Sequence, residues 1–184
     1  MLAALYRSPG GPEVLSVEEV DAPPVGPGEV RVRLRLAGIN PTDPKLRLRA
    51  QPDGFQVPGQ DGAGEVVEVG EGVTGLKTGD RVVISCGCHT EYEVMNERNL
   101  IKIEDGRVTD QAAALARIGV FPLAAIRKCH LEIGESAIVM GQGVLGLIAV
   151  QLLRAAGAAP VIAADPVPEK RALALRQGAD YALD

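Results

Sequence analysis

Residues 141–146 read Gly141-Gln142-Gly143-Val144-Leu145-Gly146, a Gly-x-Gly-x-x-Gly run. Alone it is weak evidence, because the chain holds 22 glycines. Its surroundings sharpen it. The apolar run Ala137-Ile138-Val139-Met140 precedes it, a helix-like stretch follows, and Asp165 ends the next apolar run. Strand, glycine turn, helix and distal acid, in that order, make a cradle for a pyrophosphate.

Each part has a physical task. Gly141 permits the tight turn, Gly143 lets the backbone approach a phosphate, and Gly146 lets helix and strand pack closely. The start of the helix, with Gln142, Val144 and Leu145 around it, offers unpaired N–H groups and a partial positive charge to the anion. Asp165 can accept hydrogen bonds from both hydroxyls of an adenosine ribose and would repel a 2′-phosphate, so it favours NAD over NADP. Lys170 and Arg171 soften that preference, since a nearby cation tolerates the extra phosphate. The alternative is a glycine-rich turn that binds nothing.

Cys86-Gly87-Cys88-His89 invites a metal reading. One residue between the cysteines is tighter than usual zinc spacing, and no second pair is evident unless Cys129-His130 approaches in space. The plainer reading makes Cys86 a small buried strand residue and puts His89 in a turn. Arg31, Arg33 and Arg35 alternate along one segment and read as a solvated face, balanced by Glu18, Glu19 and Glu29. With two histidines and no serine in a nucleophile-elbow pattern, no Ser-His-Asp arrangement can be defended.

The elements that must position these residues fall into two kinds. Val30 to Leu36 alternates apolar and charged side chains, the period of a strand with one buried face. Glu65–Val69, Arg81–Ser85, Glu91–Met95 and Asn99–Ile103 are further short strands, punctuated by Gly and Pro, and together suggest a barrel-like or sandwich-like β-domain. Asp110 to Ile118 reads as a helix capped by Thr109 or Asp110, and Phe121 to His130 as a second. Beyond Gly134 the pattern becomes α/β. Ala137–Met140 reads as a strand buried on both faces. Val144–Ala156 reads as a helix stopped by Gly157, Pro160–Ala164 as a strand, Pro168–Arg176 as a helix ended by Gly178, and Ala179–Leu183 as a third strand. The boundary between the two domains falls between Asp105 and Gly119.

Composition excludes several classes. Hydrophobic residues make up 46% of the 184 and charged residues 23%, which suits a folded globular chain. A net charge of −5 argues against a nucleic-acid partner. The apolar runs are too short to span a bilayer, and the first residues lack the pattern of an export signal. Three cysteines make no disulfide framework, and the expected address is the cytoplasm.

These motifs together resemble the medium-chain dehydrogenase/reductase family over nearly the whole chain. Gly59 through Gly70 resembles its catalytic-domain signature, Thr78-Gly79-Asp80-Arg81-Val82 the turn and strand that follow, and Glu91-Tyr92 its acidic-tyrosine strand. Gly178-Ala179-Asp180 resembles the stretch after its second Rossmann helix. The resemblance implies a mixed α/β chain: a GroES-like β-barrel domain over residues 1–118, then a partial Rossmann dinucleotide-binding domain over 119–184. It implies an NAD(P)-dependent oxidoreductase acting on a small-molecule substrate.

Zinc-dependent members place a Cys where this chain has Asn40 and a Gly-His-Glu segment where it has Gly59-Gln60-Asp61. No third ligand stands near Arg117 to Gly119, and the four-cysteine structural lobe is missing. The expectation is no catalytic zinc, since an amide is a poor zinc ligand beside thiolate or imidazole. Asn40-Pro41-Thr42-Asp43 is similar to the quinone oxidoreductase-like branch. Without a Lewis acid, hydrogen-bond donors must stabilise developing charge. That suits hydride transfer to a quinone or an activated carbonyl or alkene. In this reading Asn40 positions nicotinamide or substrate, and Thr42 donates a hydrogen bond or relays a proton. The alternative is that both residues only brace the turn around Pro41 and that Asp61 hydrogen-bonds the backbone at a glycine-rich bend.

Three Rossmann strands are half of a six-stranded sheet. The first strand is then expected to leave an open edge: either the chain is a piece of a longer oxidoreductase, or a homo-oligomer or a complementing chain completes the sheet. Two other functions stay open: a catalytically silent dinucleotide-binding fragment, and a zinc-dependent alcohol dehydrogenase relative with ligands at Cys86, Cys88 and His89.

Overall fold

A computed structural model describes residues 1–49, 54–85 and 87–184. The chain divides into two compact units, Met1–Arg117 and Ile118–Asp184.

In the first unit, β1 (Leu2–Leu5) and β2 (Ser16–Glu19) form an antiparallel pair. Neither was expected, because Leu-Ala-Ala-Leu and Ser-Val-Glu-Glu are too short to show a clear period. The main sheet is built from β3 (Glu29–Ala37), β4 (Gly62–Val69), β5 (Arg81–Ile84), β6 (Tyr92–Asn96) and β7 (Ile101–Lys102). It is antiparallel, in the order β6-β3-β4-β5-β7. The alternation seen in β3 sends Val30 and Val32 into a core with Val66, Val82, Ile84 and Cys88.

The arginines on the other face of β3 pair with β4. Arg31 meets Glu68, and Arg33 and Arg35 both meet Glu65. Their partners are therefore not the expected Glu18, Glu19 and Glu29. Cross-strand neighbours on one face lie closest in an antiparallel pair, and β4 supplies those neighbours.

β4 begins three residues earlier than expected. Gly62 and Gly64 read as loop residues, yet a Cβ on Gly62 would lie 2.8 Å from the Leu36 carbonyl oxygen, and one on Gly64 would overlap that of Arg33. The missing side chains let β3 and β4 close. Between these strands the chain makes α1 (Thr42–Arg47).

After β7, Thr109 caps α2 (Asp110–Ala114), its side chain accepting the Ala112 N–H. α2 stops there instead of running to Ile118. α3 (Ala116–Lys128) follows, with Pro122 inside it and no break at Phe121.

The second unit alternates β8 (Ala137–Met140), α4 (Val144–Ala155), β9 (Val161–Ala164), α5 (Pro168–Arg176) and β10 (Tyr181–Leu183). The sheet is parallel, in the order β10-β9-β8. Val150 and Leu153 of α4 pack on Val161, Ala163 and Ala174. One expectation fails here. β8 is an edge strand with one covered face, not a strand buried on both. Ile138 is 58% exposed and Met140 83%. An apolar run cannot by itself tell one covered face from two, because that depends on what packs against each face.

Candidate functional site

Two polar constellations stand out, one in each unit. The first is the glycine loop between β8 and α4. Gly141 sits at φ +87°, a left-handed conformation that favours glycine. Its N–H donates to Ala164 O, 2.8 Å away, so the turn is anchored to β9. At Gly143 a Cβ would meet nothing within 4 Å, so the space above that residue is open. Gly143 is also the N-cap of α4, with no side-chain cap and no acidic residue in the first turn. The first-turn amides of α4 thus lack a side-chain acceptor, and the dipole end of a twelve-residue helix faces that space. Gly146 is needed for a different reason than expected. A Cβ there would run into the Gly141 carbonyl before it reached β8.

Asp165 follows β9 and is 5% exposed. Its Oδ2 accepts the Gln142 N–H at 2.7 Å and its Oδ1 the Val167 N–H at 2.9 Å. These two backbone hydrogen bonds, Gln142 first, hold its pKa below the ordinary aspartate value, with Lys170 and Arg171 adding to the effect. Lys170 Nζ stands 4.0 Å from Oδ2, and Arg171 donates to the Asp165 carbonyl at 2.7 Å. The expected acid, loop and lysine are thus brought together. The Gln142 side chain is not at the surface. It is 1% exposed, donates to Val139 O at 2.7 Å, and leaves its buried Oε1 without a partner. It braces the turn from below.

The second constellation gathers residues 38–43, 59–61 and 89. Asn40 Nδ2 donates to Asp61 Oδ1 at 2.6 Å. Asp43 Oδ2 accepts the Asn40 N–H at 2.7 Å, and its Oδ1 the Gly59 N–H at 3.3 Å. His89 Nε2 lies 2.9 Å from Gly38 O, and the His89 N–H donates to Pro58 O. Asp61 therefore engages the Asn40 side chain, not only the backbone of a bend. Thr42 is exposed at the start of α1, with no hydrogen bond to its side chain among the described residues.

Sequence reasoning gave Asp43 no role of its own and weighed His89 only as a metal ligand or a turn residue. The signal for Asp43 was its place three residues after Asn40, the spacing at which a carboxylate reaches back to a turn N–H. Among the described residues no group of three or more His, Cys, Asp and Glu is placed to hold a metal. Cys86 lies outside the described residues, Cys88 is buried and Cys129 is exposed.

The β-domain and the glycine loop together define a class of chain, and comparison with known proteins agrees. The alcohol dehydrogenase GroES-like domain matches residues 26–121, just over half of the chain. The chain belongs to that family, and so to the medium-chain dehydrogenases/reductases whose motifs it carries. A quinone oxidoreductase of Pseudomonas aeruginosa is 36% identical over 97% of this chain and 57% of its own length. An alcohol dehydrogenase of Rhizobium meliloti is 33% identical over 100% of this chain and 63% of its own length. The crystal structure of Escherichia coli quinone oxidoreductase complexed with NADPH superposes with a TM-score of 0.85 at 28% identity, covering 100% of this chain and 58% of that one. The chain thus spans about 60% of the length of these proteins. No helix among the described residues is long and apolar enough to cross a membrane.

Proposed function

We propose that this chain carries the dinucleotide-binding and part of the catalytic machinery of a zinc-independent NAD(P)H-dependent reductase. Its substrates would be quinones or activated carbonyls and alkenes. The observation that carries the reading is the glycine loop: an uncapped helix N-terminus, open space over Gly143, and a turn fastened to Asp165. Those features fit a pyrophosphate, because an anion there gains N–H groups and the helix dipole with no side chain in its way. A bound nicotinamide would supply the hydride.

The chain's own residues divide the remaining work. Val144, Leu145 and Gly146 would offer first-turn amides to the phosphates. Asp165 already uses one lone pair on each oxygen for the loop, and the remaining ones would take ribose hydroxyls. Lys170 would contact the ribose of NADH or the 2′-phosphate of NADPH, and the NADPH complex of the Escherichia coli relative supports the second of these. In the first unit, Asn40 and Thr42 would hydrogen-bond the reacting partner. One Nδ2 proton of Asn40 is engaged by Asp61, which leaves its Oδ1 and its second Nδ2 proton for that contact.

The test is a titration of the 184-residue chain with NADH and NADPH, followed by nicotinamide fluorescence, then NADH oxidation with a quinone acceptor. Saturable binding and turnover support the reading. Folded protein that binds neither nucleotide overturns it.

A further inference from the structure

We propose that Asp61 is the positioning residue for Asn40: its buried carboxylate sets which way the Asn40 amide faces, and so which group the loop presents to a ligand. This rests on the reading of Asn40 as a ligand-contacting residue.

An asparagine amide has two nearly isosteric ends, so its orientation is set by its partners. Asp61 is 3% exposed, and an ionised carboxylate only accepts hydrogen bonds. Only the nitrogen end of Asn40 can face it, and Nδ2 lies 2.6 Å from Oδ1. A bond to a charged acceptor is roughly twice as strong as a neutral one, so turning the amide over would set oxygen against oxygen at that distance.

The surrounding chain keeps the pair in register. A Cβ on Gly38 would lie 2.9 Å from the Asp61 carboxyl carbon, so only a residue without a side chain leaves the carboxylate its place. The Gly38 N–H donates to Asp61 O at 2.9 Å, which ties the two loops together at the backbone. Asp43 separately holds the Asn40 backbone, its Oδ2 accepting the Asn40 N–H. One carboxylate therefore fixes the main chain of Asn40, and the other fixes its side chain. What remains for a ligand is the Asn40 Oδ1 and one Nδ2 proton. That combination suits a group that both donates and accepts, such as a carboxamide or a hydroxyl.

The test compares the wild-type chain with Asp61→Asn, Asp61→Glu and Asn40→Ala. The Asn40 side-chain amide signal, assigned by its loss in Asn40→Ala, is followed by two-dimensional NMR. In the wild type one Nδ2 proton should be displaced downfield and slow to exchange. Asp61→Asn should return it to the exposed-amide position while the β4 backbone amides stay protected. Asp61→Glu, which keeps the charge, should retain the displaced signal. An Asn40 signal unchanged in Asp61→Asn overturns the proposal. If Asp61→Asn does not fold, loss of the displaced signal in Asp61→Glu overturns it instead. In the NADH–quinone assay, Asp61→Asn and Asn40→Ala should each lower kcat about tenfold to a hundredfold with little change in KM. The double variant should fall no further, and effects that multiply count against the proposal. Absence of turnover in every protein, wild type included, would count against the reductase reading, and the amide signal would still decide the role of Asp61.

Discussion

The Asp165 carboxylate accepts the Gln142 backbone N–H at 2.7 Å, fastening the turn before α4 to the end of β9. The acid proposed to bind the ribose is therefore also a structural part of the glycine loop. Asparagine in its place has one acceptor oxygen and cannot serve both Gln142 and Val167. Asp165→Asn should lose about tenfold or more in NADH affinity, the scale of one hydrogen bond to a charged group. Because the folded pKa lies below the ordinary 3.8, the brace is intact above that pH and is lost only as pH falls through the lower folded value. NADH affinity at wild-type strength in Asp165→Asn would sink the dual role.

Two glycines of the loop should respond in opposite ways. Gly143→Ala meets nothing within 4 Å, so its melting temperature should match the wild type while dinucleotide binding weakens. Gly146→Ala would drive a methyl group into the Gly141 carbonyl and should cost about 1–3 kcal/mol of stability. Denaturant unfolding of both variants beside a nucleotide titration checks the contrast. An unstable Gly143→Ala would show that the space above the loop is not open.

Glu93 should make stability depend on pH near neutrality. It lies opposite Val32, on the face of β6 that carries Met95 toward the core, and its carboxyl lies against Gly87. Burial pushes its pKa from 4.5 up to about 7. Folding favours the neutral acid, so the penalty is absent below 4.5, grows as pH rises toward 7, and is complete above it. Because the carboxyl is only half-buried, water screens part of the penalty, and the effect is on the order of 1–2 kcal/mol. Glu93→Gln should match the wild type at pH 4 and exceed it in stability at pH 8. Parallel curves for the two proteins would mean that the carboxyl reaches water.

The exposed edge of β8 should favour self-association. Ile138 and Met140 are apolar and face solvent on a strand that pairs on one side only among the described residues. Ile138→Lys and Met140→Lys should leave stability within about 0.5 kcal/mol, as surface changes do, and raise the concentration at which light scattering appears. A large loss of stability would show that the edge is covered in solution.

Much of the architecture was legible because it is written in local pattern. Strict alternation from Val30 to Leu36 produced β3, and Pro168 and Gly178 bracketed α5 as turn chemistry requires. The glycine loop was legible for the same reason: its residue types and spacing describe one local turn and its helix. The misses have local causes too. Gly62 and Gly64 looked like loop because glycine has no strand preference, yet they are the residues that let two strands approach. The helix expected from Phe121 was already running from Ala116, and it carried through Pro122.

The sequence by itself determined the β-domain followed by an α/β unit, the glycine loop and the family, since each depends on neighbours close along the chain or on motifs read in order. Only the tertiary structure decided what the polar side chains do. The pairing of Asn40 with Asp61, the Asp43 bond to Gly59 and the burial of Gln142 join residues through folding of the chain. A hydrogen bond depends on distance and on exclusion of water, and neither is encoded in the type or spacing of the residues that make it.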